Sequence, residues 1–170
     1  MKKSSLTNYF DNATESSKLI YSNLKRTSEL ITSFKLVSAD KKNYDKRKFF
    51  LKEYIEDIIV SLKPQLRKYP HSIEIKGVTQ LQLNNYAGSF AHIITNLVMN
   101  SLTHAYNKGE EGNICIEILE RNNMVSITYS DDGKGIPKES HKKVFEPFYT
   151  TKRNEGGTGL GMHIVYNTVQ

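Results

Sequence analysis

Three glycines, Gly157, Gly159 and Gly161, alternate within the run Gly156-Gly157-Thr158-Gly159-Leu160-Gly161. Without Cβ atoms, one side of such a loop is bare, so a ligand can approach the backbone closely and positive φ carries no penalty. Met162-His163-Ile164-Val165-Tyr166 comes next and reads as a helix. A helix N-terminus offers unpaired N–H groups and about half a positive charge to an anion. This is phosphate-binding chemistry, with a glycine hinge as the plainer alternative. A P-loop would require Lys and Ser/Thr after Gly161, where Met162 and His163 stand. A Rossmann loop would require its third glycine one place later and a strand directly before it.

A second group lies upstream, where His92, Asn96, Asn100 and His104 recur every four residues among Phe90, Ile93, Ile94, Leu97, Val98 and Leu102. On a helix they form a polar stripe down an apolar surface. Buried carboxamides without partners are costly, so something polar must face them: a ligand, or each other. Zinc suits the stripe poorly, because the two histidines are too far apart and no acidic residue lies between them on that face. Asparagine oxygens are hard, neutral ligands, compatible with an Mg²⁺ whose charge is balanced by phosphates.

The third group is Asp131-Asp132-Gly133-Lys134-Gly135-Ile136-Pro137, after an alternating strand. A carboxylate leaving a strand can accept from an exocyclic amine such as that of adenine, and Gly133 and Gly135 let a ring approach the backbone. Asp-Gly is also a common turn. Val144-Phe145-Glu146-Pro147-Phe148-Tyr149-Thr150-Thr151-Lys152 then forms an aromatic hook that ends on a cation, shortly before the glycines.

In this order, the four pieces resemble the ATP-binding domain of two-component sensor histidine kinases, within the GHKL superfamily that includes gyrase-type ATPases. His92 to Ser101 resembles the family's N box, Asp131 to Gly135 its first glycine box, Phe145 to Tyr149 its F box, and Gly157 to Gly161 its second glycine box. The resemblance covers residues 47 to 170. It implies ATP and Mg²⁺ as cofactors, with Asn100 holding the metal, Asn96 beside the phosphates and Asp131 reading the adenine amine. Backbone amides of Gly159, Leu160 and Gly161 would receive phosphate oxygens under a lid from Gly135 to Gly157. The full ATP-binding set so implied is Asn96, Asn100, His104, Asp131, Gly133, Gly135, Lys152, Gly157, Thr158, Gly159, Leu160 and Gly161, with no residue as acid or base. Two departures stand out. Thr103 and His104 occupy the places where many members carry Lys and Tyr. None of His71, His92, His104, His141 and His163 has the His-Glu or His-Asp setting of the phosphoacceptor.

The elements that must position these groups are legible in the apolar pattern. Leu6, Phe10, Ala13, Ser17, Ile20, Leu24, Thr27, Ile31 and Phe34 mark a seam of period about 3.5, and neither proline nor glycine interrupts Ser4 to Asp40. A helix of about nine turns with so narrow a seam is expected to find a bundle partner. It resembles the second helix of the family's dimerisation hairpin. Residues 41–46 read as a linker between this helix, residues 1–40, and a catalytic domain, residues 47–170. Within that domain, a short strand is expected around Phe49 and Leu51, and a helix from Lys52 that bends or ends at Pro64. A strand over Ser72 to Gly77 and a helix from Ser89 to Tyr106 come after it. Ile114 to Leu119 and Val125 to Tyr129 read as a hairpin around Arg121-Asn122-Asn123, and 131–157 as a long functional loop. The expected fold is an α+β two-layer sandwich, the Bergerat ATP-binding fold, preceded by the long helix. In the family two more strands complete the sheet. Without them, the strand Val125 to Tyr129 is expected to show an unpaired edge, so that the protein either continues past Gln170 or completes its sheet by association.

Composition bounds the function. The 170 residues include 38% hydrophobic and 25% charged side chains, enough for one ordinary core. The net charge of +6 is spread among acidic residues, which argues against nucleic acid. The lone Cys115 excludes an intrachain disulfide and fits a reducing compartment. No apolar run is long enough to span a bilayer and Met1-Lys2-Lys3-Ser4-Ser5 leads no signal core, so no membrane contact is expected of these residues. The expected place is cytoplasmic, free or as part of a membrane-bound sensor. The function the resemblance implies is transfer of the γ-phosphoryl group of Mg·ATP to a histidine on another segment, with a homodimer formed through the long helix and a response regulator as partners. Superfamily ATPases carry a glutamate where Asn96 stands, and an amide cannot serve as that base. The rivals are an anti-sigma-type serine kinase and a degenerate module that acts through its helix. Complete glycine boxes speak against the second.

Overall fold

The computed structural model describes residues 3–38, 46–152 and 157–170. Helix α1 runs from Lys3 to Ser38 without a break. Ala39 and Asp40, nearly all of the expected linker, and Gly156 lie outside the described residues. Along α1 the seam faces outward: Leu6, Phe10, Ile20, Leu24 and Ile31 are between 44% and 65% exposed. Two polar seam positions satisfy themselves, since Ser17 Oγ donates to the Ala13 carbonyl at 2.7 Å and Thr27 Oγ1 to that of Asn23 at 2.9 Å.

The rest is built on a three-stranded sheet. Strand β2, His71–Gly77, lies parallel to β4, Gly112–Arg121. The latter turns back into antiparallel β5, Met124–Asp131. Asn122 and Asn123 make that two-residue turn with φ of 52° and 61°, the left-handed pair that matches strand twist. Among the described residues β5 pairs only with β4, which is the open edge the sequence led us to expect. Ile114, Ile116 and Ile118 alternate onto the helical face of β4 and are all but fully buried.

Helix α2, Leu51–Ser61, places Leu51, Ile55 and Ile58 in this core, and Leu62 adds to them. The helix breaks where Pro64 was expected to end it, and a single turn, α3, Lys63–Leu66, resumes with the proline at its start, where no N–H is missed. Helix α4, Ala87–Asn100, contributes Ile94 and Val98 to the same cluster, and α5, Gly161–Val169, buries Ile164 and Val165. Each such side chain stabilises the fold by about 1.5–3 kcal/mol. The result is the expected two-layer α+β sandwich, with helices on one face of the sheet.

Two parts differ from expectation. Strand β1 is Arg47–Phe50, so Leu51 already starts α2, and β1 pairs with an unforeseen strand β3, Gln82–Asn85, apart from the main sheet. With Leu83 as its only apolar residue, β3 has no alternation to reveal it. The helix expected from Ser89 to Tyr106 starts at Ala87 and stays α-helical only to Asn100. Ser101–Ala105 then forms a π turn, a rare, wider winding that is frequent at functional sites.

Candidate functional site

The π turn re-aims the residues beyond the second asparagine. Its first residue, Ser101, is 3% exposed, and its hydroxyl donates to Asp131 Oδ2 at 2.7 Å. Tyr129 OH lies 2.8 Å from the same Ser101 Oγ. Tyr129 and Asp131 are two residues apart on β5, hence on one face. The Gly133 N–H donates to Asp131 Oδ1 at 3.2 Å. At the far end of the turn the Ala105 carbonyl accepts the Lys134 N–H at 2.9 Å, and a Cβ on Gly133 would stand 2.5 Å from that of Ala105. Glycine is therefore required for the loop to lie against the helix end. The next glycine, Gly135, has φ of 71° in open space.

The adjoining carboxylate is structural. Asp132 accepts from Asn113 N at 2.7 Å, Asn113 Nδ2 at 2.8 Å and Tyr106 OH at 3.0 Å. The Asn113 backbone N–H, then its amide and the Tyr106 hydroxyl, hold the Asp132 carboxyl below the usual carboxylate range. Burial first, and then the bond to Asp132, push the Tyr106 phenol upward. Burial also pushes Tyr129 up to about 12.

At the other end, Asn96 and Asn100 project from α4 toward the first residue of α5. A Cβ on Gly161 would lie 3.0 Å from Asn96 Oδ1 and 3.5 Å from Asn100 Oδ1. Asn96 Nδ2 donates to the His92 carbonyl at 2.9 Å, whereas Asn100 Nδ2 is buried and bonds to no protein atom. Gly157 and Gly159 have their bare sides against protein, a packing role that the sequence did not reveal. A Cβ on Gly157 would meet Thr150 Oγ1 at 2.6 Å, and one on Gly159, whose φ is 68°, would meet the Phe148 backbone at 2.5 Å. Phe148 itself is held at φ of 68°, a costly state for a bulky residue, and its N–H donates to the Gly159 carbonyl at 2.9 Å. The aromatic hook and the glycine loop thus brace each other.

The remaining predicted residues fall around this frame. His104 leaves the asparagine line because the π turn rotates it, and its Nδ1 lies 3.2 Å from Thr151 Oγ1. Lys152 is tied through its backbone, N–H to Thr150 Oγ1 at 3.1 Å and carbonyl from the Gly157 N–H at 3.0 Å. Thr158 is half-buried, and Leu160 is 1% exposed with its side chain in the core. The hook is pinned to α5, with the Phe145 ring 5.4 Å from that of Tyr166 and the Phe145 carbonyl 2.9 Å from His163 Nδ1. Between hook and sheet lies a cavity of about 540 Å³ lined by Asp131, Gly135, Ile136, His141, Phe145 and Met162 among others. It joins the aspartate to α5. The two asparagines, His104 and Lys152 stand outside its lining.

A profile described as histidine kinase-, DNA gyrase B- and HSP90-like ATPase matches residues 86–170, half of the chain, and includes all the predicted site residues. The chain belongs to this ATPase family. Its relatives point to one branch. The signal transduction histidine-protein kinase ArlS of Staphylococcus haemolyticus is 30% identical over 166 residues, covering 92% of this chain and 35% of ArlS. Sporulation kinase A of Bacillus subtilis is 26% identical and covers 95% of this chain and 25% of that protein, so the chain spans a third or so of these curated relatives at most. Among solved structures, the catalytic domain of histidine kinase ThkA superposes with a TM-score of 0.63 at 27% identity, over 73% of this chain and 79% of that one. The same kinase solved with the response regulator protein TrrA matches at 21% identity and a TM-score of 0.62, over 89% of this chain and 42% of that one, a likeness of fold.

Within this histidine kinase-like ATPase domain, sequence reasoning missed Ser101, Tyr129 and the Tyr106–Asp132–Asn113 group. Position 101 read only as the end of the N box. Alternation along β5 could have shown that Tyr129 shares a face with Asp131, but nothing local signals a bond to a serine 28 residues earlier. Among the described residues no helix is long and apolar enough to cross a membrane.

Proposed function

We propose that this chain is the ATP-binding catalytic part of a sensor histidine kinase, which passes the γ-phosphoryl group of ATP to a histidine imidazole outside the five histidines seen here. The observation that carries it is the meeting of Gly161, at the N-terminus of α5, with the carboxamides of Asn96 and Asn100. The amides at the N-terminus of α5 and the two neutral amide side chains thus stand together, and in this reading they are the groups that meet a polyphosphate. The buried, unpaired end of Asn100 fits a metal-bound phosphate, because a carboxamide can turn either its oxygen or its nitrogen inward. In this reading Asn100 holds Mg²⁺, Asn96 lies beside the phosphates, and the amides of Gly159, Leu160 and Gly161 receive phosphate oxygens. Mg²⁺ would supply charge neutralisation on the phosphates. Asp131 accepts from the adenine amine in the cavity beneath Ile136 and Met162. Gly135 lines that cavity, and in this reading Gly133, Gly157 and Thr158 set the loops around the nucleotide, with His104 and Lys152 bordering the phosphates.

The chemistry asks mainly for position. A neutral imidazole attacks the γ-phosphorus, the bond to the bridging oxygen breaks, and ADP leaves, with no strong base needed. The domain plan belongs to the same proposal: residues 1–40 as a dimerising helix, 41–46 as linker and 47–170 as the catalytic unit. The outward apolar seam of α1 supports a homodimer, and the cytoplasm is the place that this reading implies. The ThkA–TrrA pair supports a response regulator as the next acceptor.

Calorimetry with Mg·ATP, combined with phosphotransfer assays, tests this reading. Binding is expected, with no acid-labile self-labelling of these 170 residues and with transfer to a supplied histidine-bearing helix. Absence of ATP binding, or labelling on one of the five histidines present, would overturn it.

A further inference from the structure

The hydroxyl of Ser101 touches two groups at once, Asp131 Oδ2 at 2.7 Å and Tyr129 OH at 2.8 Å. Proton bookkeeping gives this chain of bonds a direction. A carboxylate oxygen only accepts, so the single Ser101 proton goes to Asp131. Ser101 then offers Tyr129 a lone pair, and the phenol donates its own proton. That proton stays in place, because burial has pushed Tyr129 up to about 12. On the other carboxylate oxygen sits the Gly133 N–H. Each oxygen of Asp131 is thus held from the protein side by one donor, which fixes the carboxylate plane. The lone pairs left over face the cavity, and every one of them is an acceptor.

Resting on the nucleotide reading above, we propose that Ser101, backed by Tyr129, is a positioning residue for purine selection: it holds Asp131 as an acceptor-only surface that favours a 6-amino purine over purines lacking that amine. An amine at that position donates into the carboxylate, whereas the carbonyl of a 6-oxopurine sets acceptor against acceptor. Sites built around a bond to one substrate group reject analogues without it far more strongly than apolar pockets do. A serine that merely tied α4 to β5 would support the fold equally for every nucleotide. A positioning serine acts on the contrast between nucleotides.

The test is a calorimetric comparison of Mg·ATP with the Mg-triphosphate of purine riboside, which lacks the 6-amino group, in the full chain and in Ser101→Ala and Tyr129→Phe. The unaltered chain is expected to prefer ATP by about tenfold or more, the range of one hydrogen bond to a charged group. Ser101→Ala should bring that ratio to within about threefold while the affinity for the purine riboside nucleotide barely moves, and Tyr129→Phe should fall between. Equal weakening of both nucleotides, or an unchanged ratio, overturns the inference and leaves ATP binding standing. Failure of the unaltered chain to bind ATP removes the nucleotide reading and this one with it. If Ser101→Ala does not fold, Tyr129→Phe carries the same comparison, and an unchanged ratio there is equally decisive.

Discussion

The two ends of the candidate site are built in opposite ways. Around Asp131 every acceptor on the protein side is met: Ser101 and Gly133 hold its two oxygens, and the neighbouring Asp132 is tied to Asn113 and Tyr106. Around Asn100 a buried amide nitrogen meets no protein partner, and the residue facing it from the start of α5, Gly161, has no side chain to offer. A finished end selects, because its geometry is set before a ligand arrives. An unfinished end binds with the bonds that the fold has left over.

Substitutions should separate the two ends. The largest effect is expected from Asp131→Asn, which replaces an acceptor by an amide and should weaken ATP by roughly 1–3 kcal/mol, about ten- to hundredfold. Affinity unchanged by calorimetry would remove adenine from that end. Next comes Asn100→Ala, expected to cost about tenfold in Mg²⁺ and much less in EDTA. Equal losses in the two buffers would make Asn100 a purely structural residue. Gly161→Ala is subtler. Its new Cβ crowds Asn96 Oδ1 at 3.0 Å, a side-chain atom that can give way, while alanine suits a helix better than glycine. Nucleotide affinity should drop about threefold with the melting temperature level or slightly higher, and a fall in both would place the damage in the fold.

The smallest effect concerns pH. The folded-state carboxyl of Asp132 titrates below its ordinary value of 3.8, so its contribution is complete above about pH 4 and disappears as the pH falls through the lowered value. Tyr106 works the other way: raised above 10, it contributes below that pH and loses its contribution as the pH climbs past it. Asp132→Asn should therefore flatten the acid limb of a melting-temperature profile. A limb as steep as that of the unaltered chain would assign acid sensitivity elsewhere.

The features that the chain disclosed in advance reflect the range of the forces involved. Alternation marked β4 and β5, period marked α1 and α2, and Pro64 marked a break, because each depends on neighbours in sequence. The glycine and asparagine groups were legible as chemistry, but the use of Gly157 and Gly159 was not. Their missing Cβ atoms make room for Thr150 and Phe148, a contact that only the folded hook creates. The bond from Ser101 to Asp131 spans 30 residues and was invisible for the same reason. The π turn left no trace either, since Ser-Leu-Thr-His-Ala would serve an ordinary α-helix as well.

That turn has a consequence for chain length. A π turn is an α-helical turn that has absorbed one additional residue, so the segment from Ser101 to Ala105 is the one stretch of the helix where a deletion could be taken up without breaking the winding. Upstream, Asn96 and Asn100 would keep their places. Downstream, such a deletion would leave the helix end almost in phase, whereas winding the same five residues as ordinary α-helix would swing it by about 100°, carrying the Ala105 carbonyl away from Lys134 and releasing the aspartate loop from its hook on the helix. The phase of a single helical turn thus decides whether the two halves of the site face the same space.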